Sequence, residues 1–414
     1  TYKGQRAMTR FEAAALLNAC LDRVTEVTDE LKRLMAEFEK ELAVLKGRVD
    51  GLEAKVGELE ASQFSTTTKL RGEASMILGG MPDFESPLRA SDGTRPANPN
   101  EVTFNYDVRL SFDTSFTGKD LLRTRLRAGN FESLPFRSGV FTLDKAAGTD
   151  DSVEIDRLFY RFPVGEGFNI TVGALVRNTE MLSFIPSAYK SDILDYFGLA
   201  GASGTYNKAT GAGVGVSWRQ QVEKGSPYLT FDTNYVSSNG FADSTIGAFT
   251  EESGISALSQ LGYRGKNWGI ALGYRYGSQN SSLRDANFSS TVPDGGDTNS
   301  LSIAGYWGPV DSGWIPSISL GYGYNWASRL DDSQSWMAGL QWSDVGWAGN
   351  AAGFAVGQPP FTGGSDNTML YEIFYRFQVT DNISITPALF YADEPRSNSF
   401  NDAWGGVIQT TFRF

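Results

Sequence analysis

The chain has 414 residues, a net charge of -12, 46 glycines and a slightly negative mean hydropathy of -0.27. It contains no histidine and one cysteine. Ser-His-Asp and Cys-His catalytic sites and His-rich zinc sites are therefore excluded, and we expect no enzyme, no metal and no other cofactor. The negative charge disfavours nucleic acid as a partner, because that binding depends on neutralising phosphates.

Membrane helices are also missing from the sequence pattern. No segment approaches the roughly 18 consecutive apolar residues that a membrane helix needs. A chain that spans a membrane without such helices does so as a closed β-barrel, whose alternating strands average out as polar. No signal peptide is visible and the chain opens inside a motif at Thr1, so we expect a fragment of a longer precursor.

A heptad repeat of apolar residues runs from Leu17 to Leu59 with charged residues beside it, the arrangement of a coiled coil. We predict an α-helical coiled coil over residues 17–63. Its seam does not select one oligomeric state, and a linker helix or a helix packed in a globular domain is the alternative. The seam residues are Leu21, Val24, Leu31, Met35, Phe38, Leu42, Leu45 and Leu52.

After about residue 64 the apolar period changes from three and a half to two. In residues 102–116 and 315–326, apolar and aromatic side chains alternate with polar or small ones, as in a β-strand with two unlike faces. A barrel in a membrane and a water-soluble sandwich both show this alternation, and the pattern alone does not choose between them.

The number of strands and the lengths of their connections favour the barrel. Long and short connections alternate, as in a bacterial outer-membrane barrel with short periplasmic turns and long outer loops. The weakest predictions, 153–163 and 351–357, leave 14 or 18 strands open. The predicted strands are 69–80, 102–116, 121–130, 153–163, 167–177, 211–220, 227–236, 256–264, 267–277, 300–307, 315–326, 335–343, 351–357, 369–379, 382–392 and 404–414.

The predicted fold is thus mainly β: a transmembrane antiparallel β-barrel of about 16 strands over residues 64–414, preceded by the N-terminal coiled coil. The last strand places Trp404, Ile408, Phe412 and the terminal Phe414 on one face. A final strand that ends on an aromatic residue resembles the C-terminal signal that the assembly machinery of outer-membrane barrels reads.

A barrel of this size encloses an aqueous lumen. Cationic residues fall on the inward face of the early strands, and Arg123, Arg125 and Arg127 follow one another at every second position. The predicted pore-lining residues are Lys69, Arg71, Arg109, Arg123, Arg125, Arg127, Arg157 and Arg161.

The third long loop, 178–210, is predicted to fold inward as a short helix, with Asp192 and Asp195 opposite the arginines, so that a transverse field acts on the constriction. In the alternative, the arginines pair with inward acids such as Asp107, Asp113 and Asp156 for structural reasons alone. The predicted constriction residues are Tyr189, Lys190, Asp192, Asp195 and Tyr196.

The opening of the chain resembles the closing part of an S-layer-homology module, as found in cyanobacterial outer-membrane porins, where the module leads into a coiled coil and then a barrel. We expect residues 1–24 to be the remnant of this module. Its front part is missing, and any partner of Cys20 is missing with it. The residues that carry the resemblance are Tyr2, Gly4, Arg6, Thr9, Arg10, Glu12 and the stretch 18–24.

This resemblance, to the carbohydrate-selective and iron-uptake porins, implies a homotrimer in the cyanobacterial outer membrane, among lipid and lipopolysaccharide. It implies a coiled coil in the periplasm and a module that contacts peptidoglycan-linked polysaccharide. The expected function is passive diffusion of small solutes and ions. The alternative is a structural tether between outer membrane and cell wall with a plugged or poorly conducting barrel.

Overall fold

The structure is a computed structural model. It describes residues 13, 33, 36–39, 44, 67–82, 84, 100–137, 139–284, 291–311, 313–361, 368–393 and 402–414. The chain divides into two compact units, Thr1–Thr66 and Thr67–Phe414.

The N-terminal unit is described at seven positions. Ala13, Arg33 and Val44 have helical backbone, while Phe38 is half-buried at a bend. Phe38 is one of the predicted seam residues; the other seven, and nearly all of the predicted module remnant 1–24 with Cys20, lie outside the described residues. The coiled coil therefore remains a prediction. Within the described residues, no helix is both long and apolar enough to cross a membrane.

The second unit is built from sixteen strands. Their bounds agree with the predicted ones to within three residues, and both of the weakly predicted strands are present. In chain order, β1 to β16 are Thr68–Gly80, Thr103–Thr114, Leu121–Gly129, Glu154–Val164, Phe168–Arg177, Thr210–Arg219, Tyr228–Ser237, Ile255–Arg264, Trp268–Ser278, Asp297–Trp307, Ser317–Ala327, Ser333–Ser343, Ala351–Gln358, Leu370–Thr380, Ile383–Ala392 and Ala403–Arg413.

Each strand pairs antiparallel with its neighbours in sequence, and β1 pairs with β16 to close the barrel. The closing register sets Glu73 opposite Arg413 and Leu78 opposite Ile408. Closure leaves no exposed sheet edge, which a barrel in lipid requires. The predicted fold of the barrel is confirmed.

The two faces of the strands are reversed relative to a water-soluble protein. On β9, Ile270 and Leu272 point outward and are 45% and 49% exposed, whereas Ala271 between them is buried. On β14, Ile373 is 54% exposed and its neighbour Glu372 is buried. An apolar exterior around a polar interior is the pattern of a membrane barrel, which decides against the sandwich.

Connections at the two ends of the barrel differ in length. One end carries the long loops 81–102, 130–153, 178–209, 238–254 and 279–296. The other carries turns as short as 165–167, 265–267 and 381–382. Two of the long loops fold back between the strands: Phe141 of loop 130–153 and Phe197 of loop 178–209 share an apolar cluster with the inward side chains of Ile77, Phe374 and Phe390. The main apolar core of this unit therefore lies inside the barrel.

Candidate pore constriction

Loop 178–209 lies against the inner wall of the barrel. Near its start, the Ser183 hydroxyl donates to Asp232 of β7 at 2.6 Å. Near its end, the Tyr206 hydroxyl donates to Gln260 of β8 at 2.8 Å. Instead of the predicted helix, the loop contains two short 3₁₀ turns, Asn178–Met181 and Asp195–Leu199. The intervening segment makes hydrogen bonds to the wall as well as a few within itself, such as that from the Ser187 amide to the Ile185 carbonyl oxygen.

Glu372 of β14 is the central anchor of this loop. Its carboxylate accepts hydrogen bonds from the Tyr189 hydroxyl and the Leu194 amide, both at 2.8 Å. Burial, together with the nearby Glu372 carboxylate, raises the pKa of Tyr189 above its ordinary value, so the phenol stays a hydrogen-bond donor. The Tyr189 ring also packs edge-on against Phe374 and Phe197.

Further hydrogen bonds fix the middle of the loop to β11–β13. The Ser319 hydroxyl oxygen lies 2.9 Å from the Ala188 amide and accepts from it. The Lys190 amide donates to Gln341 at 2.7 Å. The Tyr196 hydroxyl lies 2.8 Å from the carbonyl oxygens of both Trp336 and Gln358. The predicted residues Tyr189, Lys190 and Tyr196 are therefore brought together on one wall.

Glycines in that wall allow the loop to approach closely. A Cβ atom at Gly321 would lie 1.8 Å from the Ala200 carbonyl oxygen, and one at Gly353 would lie 3.0 Å from the Tyr189 ring. A larger side chain at either position would push the loop toward the lumen.

The arginines of β3 lie on the inner face of the opposite part of the barrel, and each is paired. Arg123 donates to Asp113 at 2.7 Å, and Arg125 donates to Asp156 at 2.6 Å. Arg127 contacts both carboxylate oxygens of Asp107. These are the three acids that the structural alternative named. Whether the row also sets ion selectivity stays a prediction.

A β-bulge adds a further cation to this row. Arg125 is opposite Arg157 while Leu126 is opposite Ile155, so Asp156 is the extra residue of β4. A bulge re-aims side chains, and here both Asp156 and the fully buried Arg157 reach the interior, 2.9 Å apart.

The loop acid that meets this row is Glu180, which the sequence reasoning did not select. Its carboxylate lies 2.7 Å from Arg157 and 3.6 Å from Arg125. Burial alone would raise the pKa of Glu180, but Arg157 and Arg125 outweigh burial and lower it. The signal for Glu180 was its position, three residues after the end of β5 at the start of the inward loop.

The two predicted loop acids have other partners. Asp195 binds Lys208 and lies 2.6 Å from Arg284 of loop 279–296. Asp192 lies 3.7 Å from Arg413 of β16. Lys208 also pairs with Asp144 of loop 130–153 at 2.6 Å. These contacts, which we call the loop latch (Asp144, Asp195, Lys208 and Arg284), tie three long loops together.

The remaining predicted pore-lining residues extend the arginine row along the wall. Arg71 is largely exposed and lies 3.7 Å from Asp113, Arg109 donates to Asp107 at 3.1 Å, and Lys69 is exposed at the same end as Arg71. We call the eight predicted cations together with Arg177 the arginine wall.

Positive charge exceeds negative charge along this wall. Asp107 is shared by two arginines, and so is Glu180. Arg161 donates to Thr171 and to the Glu180 carbonyl oxygen, and Arg177 donates to Thr210. Neither of these two arginines makes an ion pair with a carboxylate of the described residues.

A closed sixteen-stranded barrel with an apolar exterior, short turns at one end and a third long loop folded inside belongs to the porin class of outer-membrane proteins. The chain is, more specifically, a member of the carbohydrate-selective porin, OprB family, whose model matches residues 26–414.

Relatives of known sequence support this assignment. An uncharacterised protein of Nostoc sp. is 33% identical over 100% of this chain and 79% of its own length. One of Synechocystis sp. is 30% identical over 100% of this chain and 84% of its own length.

Solved structures share the fold. Pseudomonas putida OprB matches with a TM-score of 0.58 and 11% identity over 84% of this chain and 94% of that chain. Salmonella typhi OmpF, solved with daunomycin, matches with a TM-score of 0.52 and 12% identity over 84% of this chain and 97% of that chain.

Proposed function

We propose that this outer-membrane porin passes small hydrophilic solutes, carbohydrates and inorganic anions among them, by passive diffusion between the arginine wall and loop 178–209. The observation that carries the proposal is the incomplete pairing of that wall, where Arg161 and Arg177 add charge without a carboxylate partner. Fixed charge of one sign in a narrow lumen favours the opposite ion.

The same wall suits uncharged sugars. Guanidinium groups are rigid hydrogen-bond donors, and carboxylates are acceptors, so a row that alternates the two offers both partners to a hydroxyl-rich solute. Phe159 lies below this row, with the Arg161 and Arg123 guanidinium carbons 5.5 and 5.9 Å from its ring centre. The stacked ring restrains both guanidinium groups.

We further propose that residues 17–63 form a coiled coil in the periplasm that joins three copies of the chain. In this arrangement residues 1–24, with the front of their module, face peptidoglycan-linked polysaccharide. The support is the heptad seam, with Phe38 half-buried, since a long amphipathic helix needs a partner to bury its stripe.

A tether with a poorly conducting barrel is the second candidate. It is favoured by the apolar cluster that loops 130–153 and 178–209 build inside the barrel with Phe374 and Phe390. Apolar side chains inside the barrel fill part of the lumen, which in a wide pore contains water.

The deciding experiment is single-channel recording of the purified, natively folded protein in a planar bilayer under a salt gradient. We expect conductance steps in groups of three and a reversal potential on the anion side. Folded protein that gives no steps would overturn the pore and favour the tether. Single, ungrouped steps would overturn the trimer only.

A further inference from the structure

A second buried cation lies inside the barrel, away from the arginine wall. Arg275 is on the inward face of β9, and its side chain is fully buried. Loop 178–209 covers it: the Arg275 Nε donates to the carbonyl oxygen of Gly204 in that loop. This arginine plays no part in the pore just described.

The hydrogen bonding of Arg275 is incomplete. Its Nη2 donates to the Thr298 hydroxyl at 3.2 Å, while its Nη1 has no hydrogen-bond partner among the described residues. Among the residues that the structure describes, no carboxylate pairs with this guanidinium. A buried charge without a counter-charge strongly destabilises the folded state. A negatively charged partner beside Arg275 would remove this destabilisation.

A small cavity adjoins the guanidinium. Its volume is about 10 Å³, which is about the room that one water-sized particle needs. The Ser300 hydroxyl in its lining has no hydrogen-bond partner. Asp331 lies at its exposed rim and makes no ion pair with Arg275. The cavity is lined by Gly204, Arg275, Leu283, Thr298, Ser300, Asn325, Ala327, Asp331, Ser333 and Pro360.

Glycine at position 277 provides the room that the free nitrogen occupies. A Cβ atom there would lie 2.3 Å from the Arg275 Nη1 and 2.6 Å from the Ser281 hydroxyl oxygen. The Ser281 hydroxyl likewise has no partner. The free Nη1 and the Ser281 hydroxyl therefore lie close together beside Gly277.

We propose that Arg275 binds a small monovalent anion, with chloride as the physiological ligand, between loop 178–209 and strands β9–β12. The guanidinium supplies the charge and its free Nη1, and the Ser300 hydroxyl, which lines the cavity, is a further donor. The cavity is too small for a phosphate or a sugar. The bound anion neutralises the Arg275 guanidinium and holds loop 178–209 against strands β9–β12.

Bromide, which replaces chloride and scatters anomalously, tests the site directly. Crystals of the full chain grown in sodium bromide are expected to show an anomalous peak within about 3.5 Å of Arg275 Nη1, a distance that allows for the larger radius of bromide relative to oxygen acceptors. A water at that position, or no density, overturns the proposal. This measurement uses the unaltered protein and does not depend on whether the barrel conducts.

Stability against heat gives a second readout. In chloride, the midpoint of heat-induced unfolding is expected to rise by at least about 2 °C over gluconate at equal ionic strength, and Arg275→Gln is expected to remove this difference. Arg329→Gln is the matched control, since Arg329 is exposed and donates to the Gly295 carbonyl oxygen. An equal chloride effect in wild type and Arg275→Gln would overturn the site, as would a loss in both variants.

Discussion

The two halves of the inner wall differ in kind. Strands β2–β5 turn arginines and carboxylates toward the interior, whereas β9–β13 turn mostly glycine, alanine, serine and threonine. On β10, for example, Thr298, Ser300 and Ser302 are buried behind the loop. Small side chains leave space for most of loop 178–209, whereas the long charged ones meet only its start, at Glu180. Strands β9–β13 therefore hold the loop, and strands β2–β5 line the space through which we propose that solutes pass.

The largest effect is expected from removing charge from the arginine wall. The triple variant Arg123→Gln, Arg125→Gln, Arg127→Gln removes one cation from beside each of three inward carboxylates. The reversal potential under a salt gradient is expected to move away from anions and toward cations, because the wall loses three positive charges and keeps its carboxylates.

The matched control for that variant is Arg219→Gln, since the Arg219 side chain stacks on Tyr228 with its guanidinium carbon 4.0 Å from the ring centre and lies on β6, outside the arginine wall. Its reversal potential is expected to match wild type. Unchanged selectivity in the triple variant would leave the arginines with the structural role alone.

A smaller but distinct effect is expected from the half that holds the loop. Glu372→Ala leaves the Tyr189 hydroxyl and the Leu194 amide without an acceptor, at about 1–3 kcal/mol for each buried donor. The loop is expected to leave the wall, which increases current noise and lowers the unfolding midpoint without changing the sign of ion selectivity.

Glu372→Gln separates this anchoring role from simple loss of a carboxylate. The glutamine oxygen still accepts a hydrogen bond, so the noise is expected to lie between wild type and Glu372→Ala. Quiet channels in Glu372→Ala would show that other contacts, such as those of Tyr196, hold the loop without Glu372.

The sequence predicted the repetitive parts of the barrel well. Alternation and turn length are local, so all sixteen strands emerged, including the one that begins at Ala351. The arginine row was found because a strand sends every second side chain to one face. The alternation located these arginines but not the carboxylates that pair with them, and those carboxylates determine the net charge of the row.

Loop pairings were beyond sequence reasoning because they join residues far apart in the chain. Tyr189 and Glu372 are 183 positions apart, and no periodicity links them. Asp156 and Arg157 were both predicted to face inward, and the bulge between them and β3, which the alternation does not show, explains how two adjacent residues do so. Arg275 was overlooked because it stands alone, without a run of neighbouring charges.

The smallest effect is expected from pH acting on the loop latch. Lys208 beside Asp144 holds the pKa of that carboxyl well below its ordinary value of 3.8. A carboxyl whose pKa is lowered by folding stabilises the folded state above its unfolded pKa, and this contribution is lost as pH falls through the folded one. The contribution of the Asp144–Lys208 pair to a quiet single-channel current is therefore expected to stay constant from pH 7 to about 4 and to be lost only below. Lys208→Met, which removes the cation, is expected to be noisy already at pH 7. Noise that rises between pH 7 and 5 in wild type would place the sensitive group elsewhere than at Asp144.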